Sequence, residues 1–149
     1  MQNKILFFVL TLINTALGFS SDAAEKSFSI GEVPIKNSYG CIYTEPSSIK
    51  KVILYGDYGS SGEAFIDGNK TELHLNGSDW MRAKKTGDRY SVQYRDGKDL
   101  FIQFTGIRMD TCKEDGPLCK SGKGKLTFEK GKSKQQREVI EWCGTLEKH

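Results

Sequence analysis

Residues 90–104 read Tyr-Ser-Val-Gln-Tyr-Arg-Asp-Gly-Lys-Asp-Leu-Phe-Ile-Gln-Phe, and no other stretch constrains the fold as strongly. Tyr90, Val92 and Tyr94 alternate with polar residues, and Leu100, Ile102 and Phe104 do the same after Asp96-Gly97. A period of two sends alternate side chains to one face of a sheet. Gly97 supplies the positive φ of a tight hairpin turn. The expectation is antiparallel β structure built around this hairpin.

The rest of the chain repeats the pattern in shorter pieces. Residues 39–43 carry Cys41 and predict a first strand, and residues 52–55 predict a short buried one. Residues 63–67 and 71–75 predict a second hairpin that turns near Asp67-Gly68-Asn69. Residues 80–84 read as strand or loop, and the second strand of the central hairpin is expected to run on to Ile107. Residues 110–123 are rich in Gly, Pro, Lys and Asp and predict a loop. Leu126 and Phe128 mark another strand, residues 129–132 a turn, and residues 139–143 the closing strand. No helix is expected beyond the N-terminal segment. The fold class is therefore all-β, a small antiparallel barrel or sandwich of about eight strands.

The N-terminus has a different character. A short polar start is followed by the apolar run 5–17 and then by small residues. The run suits a signal-peptide core and is short for a membrane span. Residues 1–24 are expected to be a signal peptide cleaved within 18–24, leaving no membrane-spanning segment and an exported protein, periplasmic or extracellular. Residues 25–38, which contain Pro34, read as an N-terminal arm, and residues 39–149 as a single β-domain.

Export bears on the four cysteines, Cys41, Cys112, Cys119 and Cys143. An even number in an oxidising compartment points to disulfides. Three pairings exist; the favoured one joins Cys112 to Cys119 as a local clasp and Cys41 to Cys143 as a staple between the first and last strands. The loop-entropy model assigns the staple roughly 4–5 kcal/mol and the clasp roughly 2–3 kcal/mol. A four-cysteine zinc site would need a closely spaced pair that the chain lacks, so no metal is expected.

A search for catalytic chemistry finds no motif. Gly59-Ser60-Ser61-Gly62 is not a nucleophile elbow, and no glycine-rich loop opens a helix. Glu72 and His74 share a strand face, but two residues make an incomplete metal or acid–base set. Neither an enzyme nor a cofactor is expected, although carboxylates brought together by the fold would leave a small hydrolase as an alternative. The net charge of +3 is too small to imply specific nucleic-acid binding.

Two surface features stand out. Residues 120–137 carry Lys120, Lys123, Lys125, Lys130, Lys132, Lys134 and Arg137 against Glu129, a candidate basic patch for an anionic surface or envelope polymer. Its one aromatic, Phe128, is expected in the core, which removes the stacking platform that single strands need. The second feature is Ser78, Trp80 and Arg82 after the Asn76-Gly77 turn, since tryptophan beside arginine is what protein interfaces favour. Trp142, next to Cys143, is expected to pack against the staple.

Tyr39-Gly40-Cys41, the run 64–73 (Ala-Phe-Ile-Asp-Gly-Asn-Lys-Thr-Glu-Leu), Trp80 followed by Lys85-Thr86-Gly87-Asp88, and the closing Cys143 form a further pattern. Over residues 39–94 and Cys143 the chain resembles the small-barrel bacterial envelope inhibitors of C-type lysozyme. That resemblance implies a barrel and a non-enzymatic protein partner, a lysozyme, engaged through a loop. Where that family carries Ser-Ala-Ser-Gly-x-x-Tyr, this chain reads Asn76-Gly77-Ser78-Asp79-Trp80-Met81-Arg82. Ser78 is the one partial match, and the inhibitory residues do not carry over.

Overall fold

A computed structural model describes residues 27–35, 37–58 and 60–147. The apolar run and the expected cleavage region lie outside them. Nine strands follow in order: β1 (Ile30–Gly31), β2 (Ser38–Thr44), β3 (Val52–Asp57), β4 (Ser61–Ile66), β5 (Asn69–Ser78), β6 (Arg89–Arg95), β7 (Leu100–Arg108), β8 (Cys119–Lys130) and β9 (Ser133–Leu146). A 3₁₀ turn, Trp80–Arg82, interrupts the β5–β6 connection. Among the described residues, no helix is long and apolar enough to cross a membrane.

Strands β2 to β9 each pair antiparallel with the next, and β9 pairs with β2. The result is a closed eight-stranded up-and-down barrel, not a sandwich, with β1 as an extra strand. The central hairpin forms as its alternation requires, with Gly97 at φ 77° in the turn. Tyr90, Val92, Tyr94, Leu100, Ile102 and Phe104 are all buried in the barrel interior.

Both favoured disulfides are present. Cys41 and Cys143 face each other across β2 and β9, the two strands that close the barrel. Cys112–Cys119 closes the loop before β8. Several boundaries differ from expectation. Strand β8 begins at Cys119, inside the segment read as loop, because Gly122 lies beneath the Tyr90 ring and Gly124 lets the β7 backbone at Thr105 and Gly106 approach closely. A Cβ at Gly122 would overlap the Tyr90 hydroxyl, as one at Gly56 would overlap that of Tyr94. Strand β9 runs from Ser133, well before residue 139, because its polar first half pairs with β8 on the outer wall.

The arm is also more than a leader into the domain. Strands β3 and β4 pair only at Tyr55–Glu63 and Gly56–Gly62. Below that point β1 takes the vacant edge of β4, and Val33 N–H donates to Val52 O at 2.7 Å. Phe28 enters the core at the base of the barrel, with 5% of its surface exposed. It is fixed there by Gln135, which donates to its carbonyl, and by Ser29, whose N–H donates to the Asp67 carboxylate at 2.8 Å. Lys130 pairs with that same carboxylate at 2.8 Å.

Trp142 corrects the expectation that it packs on the staple. Adjacent residues on a strand face opposite ways, so Trp142 points to the outer wall. There it joins a cluster of Val33, Ile42, Val52 and Leu146, and its indole N–H donates to Thr44 Oγ1 at 3.1 Å.

Since Phe28 is a core residue carried by the arm, Phe28→Ala should lower unfolding stability by about 3 kcal/mol or more. Urea denaturation would measure it, and a loss below about 1 kcal/mol would show that the arm does not share the core.

Candidate binding surface at the barrel mouth

The interior changes character along its axis. Towards the base it is apolar, lined by Ile66, Leu100, Ile102, Leu126 and Phe128. Towards the opposite end, the mouth, polar groups take the inward positions. Glu141 lies between Val139 and Cys143 on β9, and Arg108 ends the inward series of β7. They are 3% and 4% exposed, respectively.

A carboxylate this deep requires hydrogen bonds in place of water. Tyr90 supplies one at 2.5 Å, and the Tyr43 hydroxyl supplies another. Tyr94 hydrogen-bonds to Tyr43, and Ser121 to Tyr90, so the network joins four strands, β2, β6, β8 and β9. Tyr43, Tyr90 and Tyr94 are all held well above the ordinary tyrosine range, first by burial and then by the negative charge of Glu141. They remain protonated donors throughout the physiological range.

Arg108 is buried, and among the described residues it forms no ion pair. Its Nη2 donates to the Trp80 carbonyl at 2.7 Å and its Nη1 to the Asp110 carbonyl at 3.4 Å. The guanidinium lies 5.4 Å from the centroid of the Trp80 ring and 5.2 Å from that of Tyr90. Cation–π attraction in a desolvated setting offsets part of the cost of burial. The same contacts anchor Trp80 from below.

The Trp80 turn is fastened on its other side too. Asp79 N–H donates to Ser91 O at 3.1 Å, and Ser91 N–H donates back to the Asp79 carboxylate. Ser78 Oγ accepts from Trp80 N–H at 3.3 Å. On this fixed turn Trp80 is 41% exposed and Met81 74%, with Leu75 and Ile107 also exposed on neighbouring strands. Ser78 and Arg82 are exposed as well. The expected trio therefore sits together on the rim, although the Ser78 hydroxyl is already engaged in shaping the turn.

Beneath the rim is a cavity of about 60 Å³ lined by Asp57, Tyr58, Ser78, Trp80, Arg108, Glu141 and the Cys41–Cys143 bridge, among others. Asp57 and Glu141 thus share a cleft, the arrangement that a hydrolase reading requires. Asp57, however, accepts from Ser61 N–H at 2.9 Å and Ser61 Oγ at 2.6 Å, and so caps its own turn. The space is also far below the several hundred Å³ of a substrate pocket. Cys41, Cys143 and Glu141 place possible ligand atoms within 4.8 Å of one another, but both sulfurs are spent in the disulfide and offer no thiolate to a metal. A larger apolar cleft of about 740 Å³ lies on the outer wall among Val33, Ile35, Ile42, Ile49, Leu118 and Leu146, away from this network.

The basic patch is more dilute than its composition suggests. Lys125 pairs with Glu138 at 3.4 Å, Lys134 with Glu129 at 3.2 Å and Lys130 with Asp67. Lys120 lies 5.8 Å over the Trp142 ring. Lys123, Lys132 and Arg137 are exposed. Glu72 and His74 are exposed on β5 and gather no third metal-binding side chain among the described residues.

Sequence reading missed Glu141 and Arg108. The signal was there: extending the inward alternation one step beyond Val139 reaches Glu141, and extending it two steps beyond Phe104, past Gly106, reaches Arg108. A scan against protein-family models matches none, and searches of curated proteins and of solved structures return no similar protein.

The tyrosine network predicts an alkaline limit. The folded protein retains three protons that the unfolded chain releases near pH 10. The stability they contribute is complete below about pH 10 and is lost as pH rises further, with a slope approaching about 4 kcal/mol per pH unit. Urea midpoints from about pH 8 to 11.5 would show it, and Tyr94→Phe should reduce the slope by about a third. A profile unchanged by that substitution would contradict the assignment.

Proposed function

We propose that this is an exported, non-enzymatic binding protein that engages a protein partner through the rim at Ser78–Arg82. The observation that carries the reading is Trp80 and Met81 standing exposed on a turn fixed by Arg108, Asp79 and Ser91. A rigid aromatic anchor loses little entropy on binding, and tryptophan and arginine dominate interface energetics. Two disulfides support an oxidising compartment, and so export to the periplasm or beyond.

The rim also stands where the lysozyme inhibitors that the chain resembles carry their loop, immediately after the strand containing Leu73. A C-type lysozyme is therefore the partner to try first. The ion pairs within the β8–β9 hairpin favour the rim over the lysine patch as the binding surface.

Immobilised, oxidised protein should capture a C-type lysozyme saturably at physiological salt. Trp80→Ala should weaken capture by at least about tenfold, the loss expected of an interface anchor. Equal capture by the variant would remove the rim from the interface. Capture of anionic polymer alone, lost as salt rises, would move the function to the lysine hairpin.

A further inference from the structure

The cavity beneath the rim has its own chemistry, independent of any protein partner. Two of its lining groups have unmet hydrogen-bonding capacity. Arg108 Nε–H is buried with no acceptor, on a residue that is only 4% exposed. The Tyr58 hydroxyl is buried, and with the Gly144 backbone amide as its nearby polar group its proton has no acceptor. Glu141 faces the same space with acceptor capacity beyond its tyrosine donors.

Charge and size narrow the occupant. A cation would meet Arg108, and an anion would meet Asp57 and Glu141. A neutral group that both donates and accepts satisfies all three sites, and a hydroxyl is the smallest such group. About 60 Å³ admits one hydroxymethyl group or a pair of waters, given about 30 Å³ per water in the liquid. Anything larger must remain outside, against Trp80. Arg108 already stacks with that indole, which is still 41% exposed.

We propose that the barrel mouth binds the end of a neutral saccharide, with a hexopyranose hydroxymethyl group in the cavity and the apolar face of the sugar on Trp80. The hydroxyl accepts from Arg108 Nε–H and donates to Glu141, and Tyr58 completes the set. Waters in the free protein take the same places and are displaced on binding.

Methyl β-glucopyranoside and methyl β-xylopyranoside differ only in that hydroxymethyl group, so they isolate its contribution. The oxidised protein would be titrated with each while the two indole N–H signals are followed by nuclear magnetic resonance. The glucoside should shift the Trp80 signal saturably and leave Trp142, on the outer wall, unmoved. It should bind at least about tenfold more tightly than the xyloside, and Tyr58→Phe, which removes one of the three groups on that hydroxyl, should reduce the difference measurably, by about threefold. Equal affinity for the two glycosides would overturn the proposal, as would no saturable shift or an equal response to methylammonium chloride. Lysozyme capture by Tyr58→Phe provides the separation from the protein-partner reading: sugar binding can fail while capture persists, and the reverse.

Discussion

The ladder between β2 and β9, from Ser38 opposite Leu146 to Thr44 opposite Ile140, closes the barrel, and most of what the protein can do follows from it. Without it the sheet would be left with two open edges, whose unpaired amides are templates for other chains. With it, the wall acquires an inside, and the strand period decides which residues enter. The same register brings Tyr43 on β2 to Glu141 on β9, so the closing strands also build the polar network at the mouth. The Cys41–Cys143 bridge lies in that ladder and holds its two strands together in the unfolded chain as well.

The two ends of the barrel solve different problems. At the base, hydrophobic burial suffices, and Phe28 from the arm completes it. At the mouth, a carboxylate and a guanidinium have been taken out of water without forming a direct pair. Each is held separately, Glu141 by tyrosine hydroxyls and the Arg108 Nη groups by carbonyls, with aromatic faces on the guanidinium and its Nε–H left unpaired. Buried charges held in this way are intolerant of movement, since a donor displaced by an ångström leaves an unpaired charge. The rim above them is fastened through the same contacts, and a preordered binding surface keeps ordering costs low.

Much of the fold was legible in the sequence because its strands alternate cleanly. Tyr90 to Phe104 announces both its turn and its inward face, and the cysteine spacing leads to the observed pairing. What was hidden depends on partners far apart in the chain. Gly56 and Gly122 look like loop residues, yet each is a recess for a tyrosine from β6, and nothing local to either glycine reveals the ring. Glu141 reads as a surface charge until β2 is known to bring Tyr43 beside it and β6 to bring Tyr90 and Tyr94 across the barrel. Ser78, Trp80 and Arg82 were found through local chemistry, and the structure puts them on one rim; that Arg108 supports that rim from within could not be read from its neighbours. The lysines of 120–137 were legible as a run, but the pairing of Lys130 with Asp67 is a consequence of the folded barrel.

The sheet register places three cysteines side by side, because Cys143 lies opposite Cys41 on one flank and opposite Cys119 on the other. A β8–β9 hairpin formed early would therefore present Cys119 to Cys143 as a wrong partner. Cys112 removes that competitor. It lies only seven residues from Cys119 and precedes both in the chain, and a short loop closes at lower entropic cost than one of 102 residues. The small clasp thus acts as a protecting group for the large staple: once Cys119 is occupied, the last cysteine is left for the first. On loop entropy alone, the cysteine placement favours closing the local bond before the barrel is sealed.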